Sequence, residues 1–247
     1  MKITIVTGSS RGLGRAMTEQ LLQPGHHVLG IARHADPALT ALAERRGAGY
    51  TAWAQDLADA PAAAQRLADW LGAQAPADIA LINNAAALSD PAPLRDGQLD
   101  SLGRDVRVGL EAPLLLSAAF LRATAGWGTD RRILNISSGL GRRAMAGSAS
   151  YCAIKAGMDH FSRAVALEEV GRPQGARIVS LAPGIIDTDM QVQLRGADRT
   201  QFPEGALFES FKNSGQLDSP ASAAAKVLAF LARADFGREP VTDIRQA

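Results

Sequence analysis

The chain has 247 residues, 47% hydrophobic and 21% charged, which is the balance of a soluble globule long enough for one α/β domain with a filled core. Its 26 basic and 25 acidic side chains leave a net charge of +1, which argues against a nucleic-acid footprint or a polybasic membrane anchor. The single cysteine, Cys152, excludes an internal disulfide, and His26, His27, His34 and His160 share no ligand spacing, so no metal is expected.

Residues 3–7 are a short apolar, β-branched run, too brief for a signal-peptide core, and are read as a strand. Thr7-Gly8-Ser9-Ser10-Arg11-Gly12-Leu13-Gly14 follows at once and opens a helix over 13–23. Glycines in this context let the backbone approach a pyrophosphate without an intervening Cβ. The helix start then offers its unpaired N–H groups to the phosphates. A second strand over 27–32 runs into Arg33 and His34, with no acid before Asp36. An NAD site places a carboxylate about 20 residues past the glycines to bind the ribose 2′-hydroxyl. Arg33, with Arg11 in the turn, suits a 2′-phosphate instead, so NADP(H) is the expected cofactor. The alternative for Arg33 is a solvated strand end.

Further apolar runs over 49–54, 79–83, 132–137 and 177–182 alternate with helical stretches over 38–46, 58–72, 98–124 and 149–170. The longest mostly apolar stretch, 112–121, is well under a membrane span, and the expectation is a cytoplasmic protein. Strand and helix in alternation imply βαβ units. The expected fold is a single doubly wound Rossmann-type α/β domain, about seven parallel strands with helices on both faces. Residues 187–219 break the rhythm with three phenylalanines, Phe202, Phe208 and Phe211, before a last helix over 219–232. A long irregular insert past a strand's carboxyl end is expected to be a substrate lid, the alternative being a surface excursion packing its own phenylalanines.

Tyr151-Cys152-Ala153-Ile154-Lys155 places a phenol and an ammonium four residues apart on one helical face. A nearby cation lowers a phenol's pKa from near 10 toward a useful range for proton transfer. Ser138, thirteen residues upstream at a strand end, is placed to hold a carbonyl oxygen beside the phenol. Cys152 faces away from that pair and reads as a small buried filler; Arg142 or Arg143 stands where it could border a substrate mouth.

The glycine turn and YxxxK, with Asp56-Leu57, Asn83-Asn84-Ala85-Ala86 and Pro183-Gly184-Ile185-Ile186-Asp187-Thr188, resemble the classical short-chain dehydrogenase/reductase family in order and spacing over about the first 190 residues. The resemblance implies Tyr151 as general acid, Lys155 as binder of the nicotinamide ribose that lowers the tyrosine pKa, and Ser138 as the group positioning the carbonyl. It implies cofactor contacts from Gly8, Ser10, Arg11, Gly12, Leu13, Gly14 and Arg33 on the phosphate side. Asp56, Leu57, Asn84, Ala85 and Ala86 would lie on the adenosine side, and Pro183, Gly184, Ile186 and Thr188 at the carboxamide. Two positions depart from the family pattern. Ala86 replaces a glycine, and Gly109 falls where an asparagine is usual, which leaves the proton relay behind Lys155 without its side chain.

Segments after residue 190 resemble the sepiapterin reductase-like and benzil reductase-like branch. The expected function is therefore NADPH-dependent reduction of a small-molecule ketone or diketone. The alternative, motivated by Gly109, is a catalytically impaired NADP(H)-binding sensor or scaffold. A homodimer or homotetramer is expected, the dimer being built on the helices near 98–124 and 149–170.

Overall fold

The computed structural model describes residues 1–246. Seven strands, Lys2–Thr7 (β1), His26–Ala32 (β2), Gly49–Ala54 (β3), Asp78–Asn83 (β4), Arg131–Ile136 (β5), Arg177–Ala182 (β6) and Val241–Asp243 (β7), pair in parallel in the order β3-β2-β1-β4-β5-β6-β7. Between them run Gly12–Leu21 (α1), Pro37–Arg46 (α2), Ala60–Gly72 (α3), Leu99–Val106 (α4), Ala112–Ala123 (α5), Ala149–Val170 (α6), Asp189–Gly196 (α7), Gly205–Asn213 (α8) and Pro220–Leu231 (α9). This is the doubly wound Rossmann-type domain that the alternation of elements implies. No helix among the described residues is long and apolar enough to cross a membrane.

The near-continuous apolar strands are explained by burial on both faces. Ile3 and Ile5 point with Leu29, Ile31, Leu81 and Ile133 into a core covered by Leu67 of α3 and Phe120 of α5. Val6, Val28, Ile82, Leu134 and Val179 point the other way, against Met17 of α1 and Val227 of α9. Two aspartates set helix starts that the periodicity leaves vague. Asp36 accepts the Ala38 N–H at 2.9 Å, and Asp59 accepts the Ala62 N–H at 3.2 Å, each with a proline in the first turn.

A chain of side-chain hydrogen bonds crosses the middle of the sheet. Asn83 of β4 donates to Asn135 of β5 at 2.8 Å, and Asn135 donates to Ser162 of α6 at 2.9 Å. The Ser162 hydroxyl donates to the Met158 carbonyl at 2.8 Å.

The helix expected over 98–124 is not uniform. Its middle, Arg107–Glu111, is a π-turn joining α4 to α5. Pro113 has no N–H to give the Gly109 carbonyl and its ring crowds that oxygen, so a widened turn relieves the conflict. The region 187–219 is also more regular than expected, carrying α7 and α8. Its phenylalanines pack together: Phe202 and Phe208 are buried with Met145 and Leu194, with ring centroids 5.7 Å apart. Cys152, expected to be buried, is only half-buried against this cluster because α6 turns that face toward the 187–219 region rather than the sheet.

Candidate active site

The chain leaves β1 and β4 in opposite directions at their carboxyl ends, and a crevice opens there, as expected at the switch point of an open α/β sheet. It is a cavity of about 1330 Å³. Every residue singled out from the sequence as catalytic or cofactor-binding lines it, except Gly14. Gly14 stands behind the wall. A Cβ there would lie 2.2 Å from the Gly8 carbonyl oxygen and 2.4 Å from Asn84 Nδ2, so its bare backbone is what lets α1, the turn and the β4 loop close on one another.

Gly8 and Gly12 take positive φ, +69° and +54°, and shape the turn before α1. Arg11, the residue before that helix, makes no side-chain cap, which leaves the first N–H groups of α1 directed into the cavity without a side-chain acceptor. The Thr7 hydroxyl accepts the Asn84 and Ala85 N–H groups at 2.9 and 3.0 Å, and Asn84 Nδ2 donates to the Thr7 carbonyl at 2.9 Å. The Asn84 amide is thus occupied in holding the β4 loop to β1. Donors at a helix start and a cradle that Cβ atoms would fill fit the pyrophosphate of a nicotinamide dinucleotide.

Arg33 is exposed just past the end of β2. The next acid in the sequence, Asp36, is committed elsewhere: it caps α2 and meets Arg15 Nε at 2.8 Å, which with the Ala38 N–H holds its carboxyl below the usual range. Asp56 accepts the Ala58 N–H at 3.0 Å and Arg104 Nη2 at 2.7 Å. These contacts, with Arg33 nearby, lower its pKa. Arg11 reaches Asp189 of α7 at 3.6 Å, a pair so exposed that it holds weakly. Gly12 faces the Thr188 methyl, which lies 3.5 Å from where a Cβ would stand, so the 183–188 segment closes over the turn.

At the other end of the cavity Ser138 starts a short 3₁₀ turn, Gly139–Gly141, and its Oγ accepts the Leu140 N–H at 3.2 Å, leaving the hydroxyl proton free to donate. Burial pushes the Tyr151 phenol up to about 12, opposed by its hydrogen bond with Ser138. Lys155 is 2% exposed, donates to the Ile136 carbonyl at 2.7 Å, and its Nζ sits 5.5 Å from the centre of the Tyr151 ring. Burial lowers its pKa to about 8, opposed by Asp159. Desolvation is the largest influence on both groups, and the ammonium stands 5.5 Å from the centre of the phenol ring.

Gly109 is buried against Ile154. A Cβ at 109 would stand 2.7 Å from Ile154 Cγ2, so Ile154 occupies the room an asparagine side chain would need. Two residues of the site carry no local signature in the sequence. Arg104 and Asp105 lie in an ordinary amphipathic stretch. Asp105, 4% exposed, accepts the backbone N–H and hydroxyl of Ser89 at 2.9 and 2.6 Å and fixes the β4 loop to α4. Asp159 was open to detection, since it continues the Tyr151, Lys155 stripe at the same interval of four. Of the two arginines near the mouth, Arg143 lines the cavity and Arg142 turns to Asp159.

A profile of the short chain dehydrogenase family matches residues 2–199. The chain is 33% identical over 247 residues to the benzil reductase ((S)-benzoin forming) of Bacillus cereus, covering 99% of each. It is 35% identical to the 3-oxoacyl-[acyl-carrier-protein] reductase of Pseudomonas aeruginosa, covering 94% of this chain and 90% of that one. A putative gluconate 5-dehydrogenase from Beutenbergia cavernae, solved with bound NADP, superposes with a TM-score of 0.83 at 26% identity over 98% of this chain and 94% of its own. The chain belongs to the short-chain dehydrogenase family and is an NAD(P)-dependent oxidoreductase acting on CH–OH or carbonyl groups.

Proposed function

We propose that this chain is an NADP(H)-dependent reductase of ketones and diketones. The observation that carries the reading is the convergence of Ser138, Tyr151 and Lys155 at one end of the cavity, beneath an apolar ceiling, with Arg33 and no free acid at the other. Leu140, Met145, Leu194, Leu207, Phe208 and Phe211 supply that ceiling, which suits a bulky apolar carbonyl compound, in keeping with the benzil reductase relative. On this reading α7 and α8 are the substrate lid.

Gly8, Ser10, Arg11, Gly12 and Leu13 would hold the pyrophosphate, Arg33 the 2′-phosphate, Asp56, Leu57, Asn84, Ala85 and Ala86 the adenosine side, and Pro183, Gly184, Ile186 and Thr188 the carboxamide. When bound, NADPH supplies the hydride for the carbonyl carbon. The Ser138 hydroxyl donates to the substrate oxygen and fixes it beside the phenol. With its pKa raised to about 12, Tyr151 stays protonated at neutral pH until a more basic alkoxide develops on that oxygen. The phenol O–H then breaks as the product O–H forms, and the Lys155 ammonium stabilises the phenolate left behind.

The test is NADPH oxidation with benzil and with an acetoacetyl thioester, using Tyr151→Phe as the control. Turnover of benzil lost in Tyr151→Phe is the expected result; undiminished turnover in that variant would sink the reading. One observation favours the impaired-sensor alternative, namely Ile154 in the space beside Gly109. That alternative requires NADPH binding with no turnover on either substrate. We also assign a homodimer face to the outer sides of α4 and α6, where Leu99, Leu167 and Val170 are 84, 76 and 82% exposed.

A further inference from the structure

Among the buried charges that the reduction chemistry does not use, Asp159 lies closest in sequence to the Tyr151, Lys155 pair. Its side chain is 1% exposed on α6, one turn past Lys155 and two past Tyr151. A carboxylate so placed is costly unless it is paired and hydrogen-bonded. Its Oδ1 accepts the hydroxyls of Ser137 at 2.5 Å and Ser180 of β6 at 2.7 Å. Its Oδ2 has no hydrogen bond; Arg142 Nε lies 3.3 Å away but out of line for one.

The contacts made by this stripe fall on consecutive residues at the end of β5. Lys155 holds the Ile136 carbonyl, Asp159 holds the Ser137 hydroxyl, and Tyr151 meets Ser138. The turn after Ser138 is seated on the same carboxylate. A Cβ at Gly141 would stand 2.8 Å from Asp159 Oδ2 and 2.9 Å from the Lys155 carbonyl oxygen, so only glycine lets the turn lie this close to α6.

We propose that Asp159 is a positioning residue for carbonyl reduction, anchoring the Ser137–Gly141 segment that presents Ser138 and serving as the buried countercharge to the Lys155 ammonium. The proposal rests on the reading of Tyr151 and Lys155 as the proton-transfer pair. The charged and titratable groups facing the two residues are few. Tyr151, with Cys152 next to it, faces Lys155 on α6, and Arg142 faces Asp159 from the turn after β5. Beyond Arg142 stands Asp243 of β7, itself paired with Arg245 at 2.6 Å. Burial favours the neutral lysine, Asp159 opposes it, and Arg142 in turn offsets part of the Asp159 charge.

The signs are opposite for two substitutions. Asp159→Asn keeps an oxygen acceptor for both serines but removes the charge, so Lys155 loses its proton at lower pH. The alkaline limb of kcat/KM for NADPH-dependent reduction of benzil then moves down by about one pH unit. Arg142→Met removes the offsetting charge, and the same limb moves up. Melting temperatures recorded alongside separate loosened packing from a change in charge, because a purely structural role lowers stability and turnover without moving the limb. Limbs unmoved in both variants, or moved in the same direction, overturn the proposal; if Asp159→Asn does not fold, the sign found for Arg142→Met decides. Tyr151→Phe is assayed in parallel. If it keeps full turnover, the pair itself has been misread; if it is dead while the limbs stay fixed, only the role of Asp159 fails.

Discussion

Placing a methyl group on Gly109 is expected to destabilise this protein, although alanine is the better helix former. Alanine in a helix interior gains about 1 kcal/mol over glycine. Against that, the new Cβ would stand 2.7 Å from Ile154 Cγ2, where ordinary carbon contacts lie near 3.5–4.0 Å. Ile154 is 2% exposed and cannot swing into solvent, so α6, which carries Lys155 at the next position, must give way. Overpacking of this kind costs about 1–3 kcal/mol, and the net expectation for Gly109→Ala is a loss of about 1 kcal/mol. In an Ile154→Ala background the clash is gone and the propensity term remains, so the same substitution stabilises by about 1 kcal/mol. The coupling energy across the cycle is then about 2 kcal/mol. Guanidinium unfolding of the four proteins, with m unchanged, measures it. A coupling below about 0.5 kcal/mol refutes the contact as the reason for glycine at 109. The same cycle read in turnover expects no gain from Gly109→Asn alone, because its side chain has no room until Ile154 is cut back.

Arg33→Asp is expected to lower the preference for NADPH over NADH by about 10- to 100-fold, the worth of a charge-assisted contact to the 2′-phosphate, measured as a ratio of dissociation constants; an unchanged ratio removes Arg33 from the cofactor site. Lys155→Met should lose turnover and carries a stability signature. The lysine pKa is lowered from 10.5 to about 8, so the unfolded chain binds a proton that the folded one has released between those values, and wild-type stability from this group rises with pH across that window. The stability difference between Lys155→Met and wild type therefore shrinks by about 2 kcal/mol between pH 7 and 9.5 in paired denaturation curves. No shrinkage would mean that Lys155 is not desolvated as described. Amides of α7 and α8 are expected to exchange with deuterium well before those of the sheet, because Phe202, Phe208, Met145 and Leu194 form a cluster separate from the two main cores. Protection equal to that of β1 would count against a lid that opens.

The sheet and the floor of the site were readable because they depend on short-range pattern. Apolar runs such as 3–7 and 177–182 are buried on both sides, and the turn at 7–14 has a geometry that its glycines largely dictate. What escaped reading depends on contacts across the chain. Nothing near Gly109 announces Ile154, which lies 45 residues on. The break in the helix expected over 98–124 had a local cause in Pro113, but its expression as a π-turn depends on the packing around it. Arg104 earns its place only by meeting Asp56 at 2.7 Å from another element. Residues 187–219 read as irregular because their two helices are short and carry Gly, Pro and Arg between them.

The amide and hydroxyl chain from Asn83 through Asn135 to Ser162 also bears on how the sheet is assembled. Apolar strands tolerate sliding by two residues, since the same faces stay buried, and the middles of β4 and β5, residues 79–82 and 133–134, are apolar. Moving either strand against the other would part the Asn83–Asn135 pair and leave several amide groups stranded in the interior, at about 1–3 kcal/mol each. The pair thus works as an alignment key, rejecting pairings that hydrophobicity alone would accept. Because Asn84 is the residue after Asn83 and Ser138 stands three residues past Asn135, correct alignment of the sheet also brings the cofactor side and the chemical side of the cavity to the same level.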